Sequence, residues 1–132
     1  WSAFTGTVPL GAILLYAGCV FWVIGYDTIY ALQDREDDVL VGIRSSALRL
    51  GKNVRVGVAS CYLATLALWL MAFGQRFPDP FAYLALLPVA AHLAWQVATL
   101  RPEDGADALA KFRSNSLAGL LMALACFVVG TA

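Results

Sequence analysis

The residues with the most chemistry to offer lie in one run, Tyr26-Asp27-Thr28-Ile29-Tyr30-Ala31-Leu32-Gln33-Asp34-Arg35-Glu36-Asp37-Asp38. On a helix, Asp27, Asp34 and Asp38 are seven and four residues apart, so their carboxylates share one face over about three turns. Carboxylates that converge in this way repel one another, and a divalent cation between them relieves the conflict. Oxygen-only donors suit a hard ion. Mg²⁺ in particular is held by one or two carboxylates with waters and substrate phosphates, which makes an open site that recruits phosphate. The bland alternative is a solvated loop beside a membrane, whose mixed charges only set topology. Asp27 tips the balance, because it lies about two turns deeper than Asp34 and a carboxylate near hydrocarbon is costly unless it faces a polar cavity. A calcium loop counted from Asp34 would need glycine where Val39 stands. No HExxH, P-loop or nucleophile-elbow pattern occurs, so zinc, nucleotide-loop and serine-hydrolase chemistry have no foothold.

Downstream, residues Gly42 to Lys52 have the pattern of a short amphipathic helix lying at an interface, with Gly51 placed to end it. Arg44, Arg49 and Lys52 fit two roles there: contacts to a diphosphate beside the metal, or anchors to lipid headgroups. His92 and Gln96 are four residues apart and share a helix face, where a hydrogen bond to a neighbouring helix is favoured over contact with substrate. Asn115 fits either a bond across to the acid-bearing helix or closure of its pocket. Cys19, Cys61 and Cys126 are odd in number, far apart and set in apolar runs, the pattern of buried, inert thiols rather than a zinc site or disulfides.

The elements that must hold these side chains follow from composition. Of 132 residues, 61% are hydrophobic and 14% charged. An ordinary soluble domain carries about 25% charged residues, so a water-soluble fold is excluded. Nine basic and nine acidic side chains balance, which leaves no positive field to hold nucleic acid. Long uncharged stretches predict an all-α, multi-span transmembrane bundle with helices over about 8–31, 55–75, 81–100 and 114–131, and a charged loop over about 32–53. Ten of the eighteen charged residues fall between Asp27 and Arg55. The basic residues cluster in the first and third connections, which places those connections in the cytoplasm and both chain ends across the membrane. Gly11, Gly18 and Gly25, seven apart, predict a face on which a second helix approaches closely. The chain begins with Trp1 and shows no signal peptide, the pattern of a piece of a longer protein.

The run YDTIYALQDREDDVLVGIRSSALRLG resembles the second aspartate-rich signature of the UbiA superfamily of intramembrane prenyltransferases. It is most similar to the members that prenylate 4-hydroxybenzoate, where a Tyr-Asp-Thr lead-in, an Asp-Arg-x-Asp-Asp core and a Gly-Ile-(Arg/Lys)-Ser-(Ser/Thr)-Ala follow-on occur together. Lys111-Phe112-Arg113-Ser114-Asn115-Ser116 resembles, more weakly, the start of the family's final helix. The resemblance implies a helical bundle of about nine spans, of which this chain is the C-terminal part and supplies four. It implies Asp34 and Asp38 as Mg²⁺ ligands, Asp27 as a further polar member of the pocket, and Arg35, Arg44, Arg49, Lys52, Tyr30 and Asn115 as substrate contacts. The implied reaction is Mg²⁺-dependent transfer of a polyprenyl group from its diphosphate to 4-hydroxybenzoate in ubiquinone biosynthesis, in a bacterial or mitochondrial inner membrane. Naphthoate, homogentisate and haem are the alternative acceptors, and a membrane transporter is the alternative from another class. The family's first aspartate motif is missing from these residues, which implies that the N-terminal half of the same protein is a required partner and that this piece alone is inactive.

Overall fold

The computed structural model describes residues 3, 6–33, 53–76 and 80–131. Among these there are helices and turns but no strand. In chain order they are α1 (Leu10–Ala31), α2 (Val54–Arg76), α3 (Pro80–Leu84), α4 (Leu87–Thr99) and α5 (Gly105–Thr131). Taking α3 and α4 together, four helical stretches are long and apolar enough to cross a membrane: Leu10–Ala31, Val54–Gln75, Pro80–Thr99 and Gly105–Gly130. A helix satisfies its own backbone in lipid, which is why sequences this apolar fold as helices.

The main seam is between α1 and α2, which run antiparallel. Gly11 faces Ala72 and Gln75, Gly18 faces Trp69 and Thr65, and Gly25 faces Tyr62 and Cys61. An added Cβ would stand 2.5 Å from the Trp69 ring at Gly18 and 2.5 Å from the Tyr62 ring at Gly25. These two glycines therefore leave the room the rings occupy, whereas at Gly11 the nearest atom would be at an ordinary 3.5 Å. Trp69 is fully buried and donates its indole N–H to the Leu15 carbonyl at 3.3 Å. Across the bundle, α5 packs on both α1 and α4, so α1, α2, α4 and α5 share one core that includes Ile29, Trp69, Leu93 and Met122.

Several details differ from the sequence expectation. The third span is interrupted between Leu84 and Leu87. Pro88 has no N–H to give the Leu84 carbonyl and sits in the first turn of α4, while Leu86 N–H closes instead on Tyr83 O at 3.1 Å. The last helix starts at Gly105, nine residues ahead of the expected 114. Asp104 caps it by accepting from Ala106 N at 3.0 Å and Asp107 N at 3.1 Å. Lys111, expected in a connection, is instead buried inside the helix, paired to Asp107 one turn earlier at 2.8 Å. The three cysteines are free and half-buried rather than buried.

Substituting Gly18→Ala or Gly25→Ala should destabilise the fold by about 1–3 kcal/mol, because an aromatic ring packed in the seam must shift. Gly11→Ala should be close to neutral, since Gly11 lies in the first turn of α1 and an added Cβ there meets nothing nearer than 3.5 Å. Thermal melting of the three variants in one detergent checks the order.

Candidate functional site at the acid-bearing end of the bundle

One end of the bundle gathers the C-terminus of α1, the N-terminus of α2, the C-terminus of α4 and the N-terminus of α5. Gly105 at the start of α5 lies so near Gln33 that its Cβ would stand 3.3 Å from the Gln33 Cα. At the same end Arg55 donates from Nη2 to the Leu100 carbonyl at 2.5 Å, capping the chain where α4 stops. The connection between α1 and α2 leaves and returns here. Asp34, Arg35, Arg44, Arg49 and Lys52, together with Glu36, Asp37 and Asp38, lie outside the described residues, as does the expected amphipathic helix over 42–52. The shared face of Asp27, Asp34 and Asp38 can be followed only as far as Asp27. α1 ends at Ala31, with Leu32 still in the right-handed helical region at φ −67° and ψ −30°.

Of the expected site residues, Asp27, Tyr30 and Asn115 are described. Asp27 is exposed on α1, turned away from the face that buries Gly18 and Gly25. Tyr30, three residues on, is 40% exposed beside it. An exposed carboxylate on an otherwise apolar helix offers oxygen donors of the kind a hard cation takes. Among the described residues no three His, Cys, Asp or Glu side chains stand together. Asn115 is buried on α5, and its Oδ1 accepts the Trp22 indole N–H at 3.0 Å. That bond realises the first of the two roles its position allowed, a tie to the acid-bearing helix.

The expected hydrogen bond from the His92–Gln96 face to a neighbouring helix is present at Gln96, whose partners, Tyr62 and Ser114, sequence reasoning did not identify. The Tyr62 hydroxyl donates to Gln96 Oε1 at 2.6 Å, and Gln96 Nε2 donates to Ser114 Oγ at 2.9 Å. Gln96 Nε2 also stands 3.2 Å from His92 Nε2 and 3.3 Å from the Lys111 carbonyl. Gln96 is fully buried, so one amide joins α2, α4 and α5. Among the described residues no buried side-chain nitrogen or oxygen lacks a hydrogen-bond partner. The second omission is aromatic: Trp22 meets Tyr26 edge-on at 5.4 Å, Tyr26 meets Phe112 at 5.8 Å, and Phe112 meets Tyr30 at 4.6 Å. Here a signal existed, since Trp22, Tyr26 and Tyr30 are spaced by four residues along one helix stripe. Lys111 lies over the Trp95 ring, 4.6 Å from its centroid. At the other end of the bundle, α1, α2 and α5 leave a cavity of about 440 Å³ lined by Leu15, Phe73, Gln75, Cys126 and Val129. It holds no charged group and so adds nothing to acid–metal chemistry.

The sequence model of the UbiA prenyltransferase family matches residues 1–124. A human protein named 4-hydroxybenzoate polyprenyltransferase, mitochondrial, is 43% identical over 129 residues, covering 94% of this chain and 34% of its own. A Drosophila melanogaster protein of the same name is 40% identical over 133 residues, covering 99% of this chain and 33% of its own. A 4-hydroxybenzoate octaprenyltransferase from Pseudomonas putida is 37% identical over 123 residues, covering 92% and 41%. The chain thus spans about a third of the length of the first relatives it matches. No solved structure matches it.

A double-mutant cycle of Tyr62→Phe with Gln96→Leu should give a coupling of about 0.6–1.7 kcal/mol, the range for hydrogen bonds between membrane helices. Additive melting shifts would show that the pair contributes nothing beyond packing.

Proposed function

The chain belongs to the UbiA prenyltransferase family, and from that premise we propose that it is the C-terminal part of an integral membrane 4-hydroxybenzoate polyprenyltransferase. The observation that carries this reading is the agreement of its relatives, from human to Pseudomonas, on one acceptor at 36–43% identity over nearly the whole chain. The position of Asp27 and Tyr30, side by side at the end where the charged connection departs, supports it.

In the proposed reaction the allylic C–O bond of a polyprenyl diphosphate breaks, and its electron pair leaves on the diphosphate oxygen. The ring carbon ortho to the phenol of 4-hydroxybenzoate forms the new C–C bond to the allylic carbon. The proton on that ring carbon then passes to water, and its bonding pair restores the aromatic ring. Arg35, Arg44, Arg49 and Lys52 bind the diphosphate, where positive charge lowers the cost of the leaving group. Asp34 and Asp38 would hold Mg²⁺, with Asp27 a further polar member of the pocket; when bound, the ion supplies charge that neutralises the diphosphate. Asn115 acts on the pocket through Trp22, and Tyr30 borders it.

In this reading apolar helices from both halves of the protein enclose a tail that water will not dissolve, and the charged residues of the first connection form a rim for the diphosphate. The rim then faces the cytoplasm or the mitochondrial matrix, because the basic residues gather in the first connection and, with Arg101, Lys111 and Arg113, around the turn into α5 at the same end. The N-terminal half of the same protein supplies the rest of the pocket. The membrane is the bacterial inner membrane or the mitochondrial inner membrane.

In the full-length protein, Asp34→Asn and Asp38→Asn should each lower turnover by at least about 100-fold, while Asp37→Asn costs less than about 5-fold. Prenyl transfer measured with 4-hydroxybenzoate, a naphthoate and homogentisate as acceptors should favour the first, and chelation of divalent ions should stop it. Equal losses at all three aspartates would contradict the assignment of Asp34 and Asp38, and preference for another acceptor would overturn the acceptor.

A further inference from the structure

The aromatic line on α1 and α5 has an unusual ending. Trp22, Tyr26, Phe112 and Tyr30 follow one another in ring contact, and the last of them lies three residues from the exposed carboxylate of Asp27. Three residues correspond to about 4.5 Å of rise on a helix, so the Tyr30 ring and the Asp27 carboxylate are neighbours on the surface of α1. Anchoring in the membrane interface is the ordinary use of tyrosine at a helix end, and it needs no contact with another helix. Here both tyrosine rings converge on Phe112, which belongs to α5, and Phe112 is itself held near Asn115 and its bond to Trp22. Tyr30 nevertheless keeps 40% of its surface open. The ring is thus held on one side and open on the other.

Resting on the prenyl-transfer reading above, we infer that the Tyr30 ring, propped by Phe112, is a π surface for the allylic cation that forms as the donor ionises. The charge requirement is general. When the C–O bond breaks, the diphosphate stays with the cationic and acidic groups of the rim, and the carbon that has lost it carries positive charge spread over the allyl unit. A cation over an aromatic face is attracted by the ring quadrupole, most strongly where water is excluded. Tyr30 touches the reacting carbons in this account, and Phe112 and Tyr26 are positioning residues that fix the ring's tilt. The neutral donor lacks this charge, so the interaction strengthens only as the bond breaks and belongs to kcat rather than to KM.

The test uses the full-length protein with polyprenyl diphosphate and 4-hydroxybenzoate. Tyr30→Leu, which removes the π face, should lower kcat by about 10- to 30-fold and leave the donor KM within about 2-fold. Tyr30→Phe, which keeps the ring, should restore kcat to within about 3-fold of the parent. Phenylalanines carrying one, two and three ring fluorines at position 30 keep the shape while draining the ring of charge, and should lower kcat step by step. They also decide the matter should Tyr30→Leu lower the melting temperature. Wild-type kcat in Tyr30→Leu, equal losses in Tyr30→Phe and Tyr30→Leu, or a flat fluorine series would each overturn the inference. If Asp34→Asn is inactive in the same preparation, that failure leaves the transferase reading standing. A full-length protein that prenylates none of the acceptors sinks both.

Discussion

Two missing Cβ atoms set the geometry of this bundle. In lipid the apolar effect does not drive helices together, so their association depends on close packing and on polar bonds that have no competitor in the surrounding hydrocarbon. Gly18 and Gly25 let Trp69 and Tyr62 enter the seam between α1 and α2. Tyr62 seated there has its hydroxyl at Gln96, and Gln96 reaches Ser114. A steric vacancy on α1 thus fixes, through one tyrosine and one amide, where α4 and α5 stand.

The same arrangement explains why polar chemistry can sit at one end of a largely apolar molecule. Asn115, Gln96, Ser114 and the Lys111 carbonyl satisfy one another just inside the end of the bundle. Beyond that layer Asp27 and Tyr30 are exposed, and among the described residues nothing bonds to the Asp27 carboxylate. Polar side chains in a membrane are affordable where bonds are complete and informative where they are not. Among the described residues, Asp27 is of the second kind.

Local periodicity made much of this legible, and long-range contact did not. The seven-residue glycine spacing correctly marked the face of α1 that meets another helix, because spacing along one helix is a local property. The four spans were evident from charge-free length alone, though Pro88 interrupts the third with little trace in hydropathy. The start of α5 was hidden because Asp104, Asp107 and Lys111 read as a charged connection. The same residues are a cap and a one-turn ion pair, a pattern visible in their spacing of three and four. Tyr62 with Gln96 and Trp22 with Asn115 join residues 34 and 93 apart, and nothing in a single sequence encodes such pairs. Helical spacing grouped Asp34 and Asp38 with Asp27, and family resemblance narrowed the metal ligands to that pair; both lie outside the described residues.

The link from α4 to α5, Leu100 to Asp104, bears on how the chain is made. A lone α4 would carry the Gln96 amide into hydrocarbon with His92 as its one partner on the same helix and its acceptor unpaired, a cost on the order of several kcal/mol in lipid. Ser114 follows only 18 residues later, across a turn that Arg101 N–H and Asp107 close at 2.8 Å. The two segments therefore suit integration as a single hairpin, with the second arriving at the ribosome exit in time to shield the first.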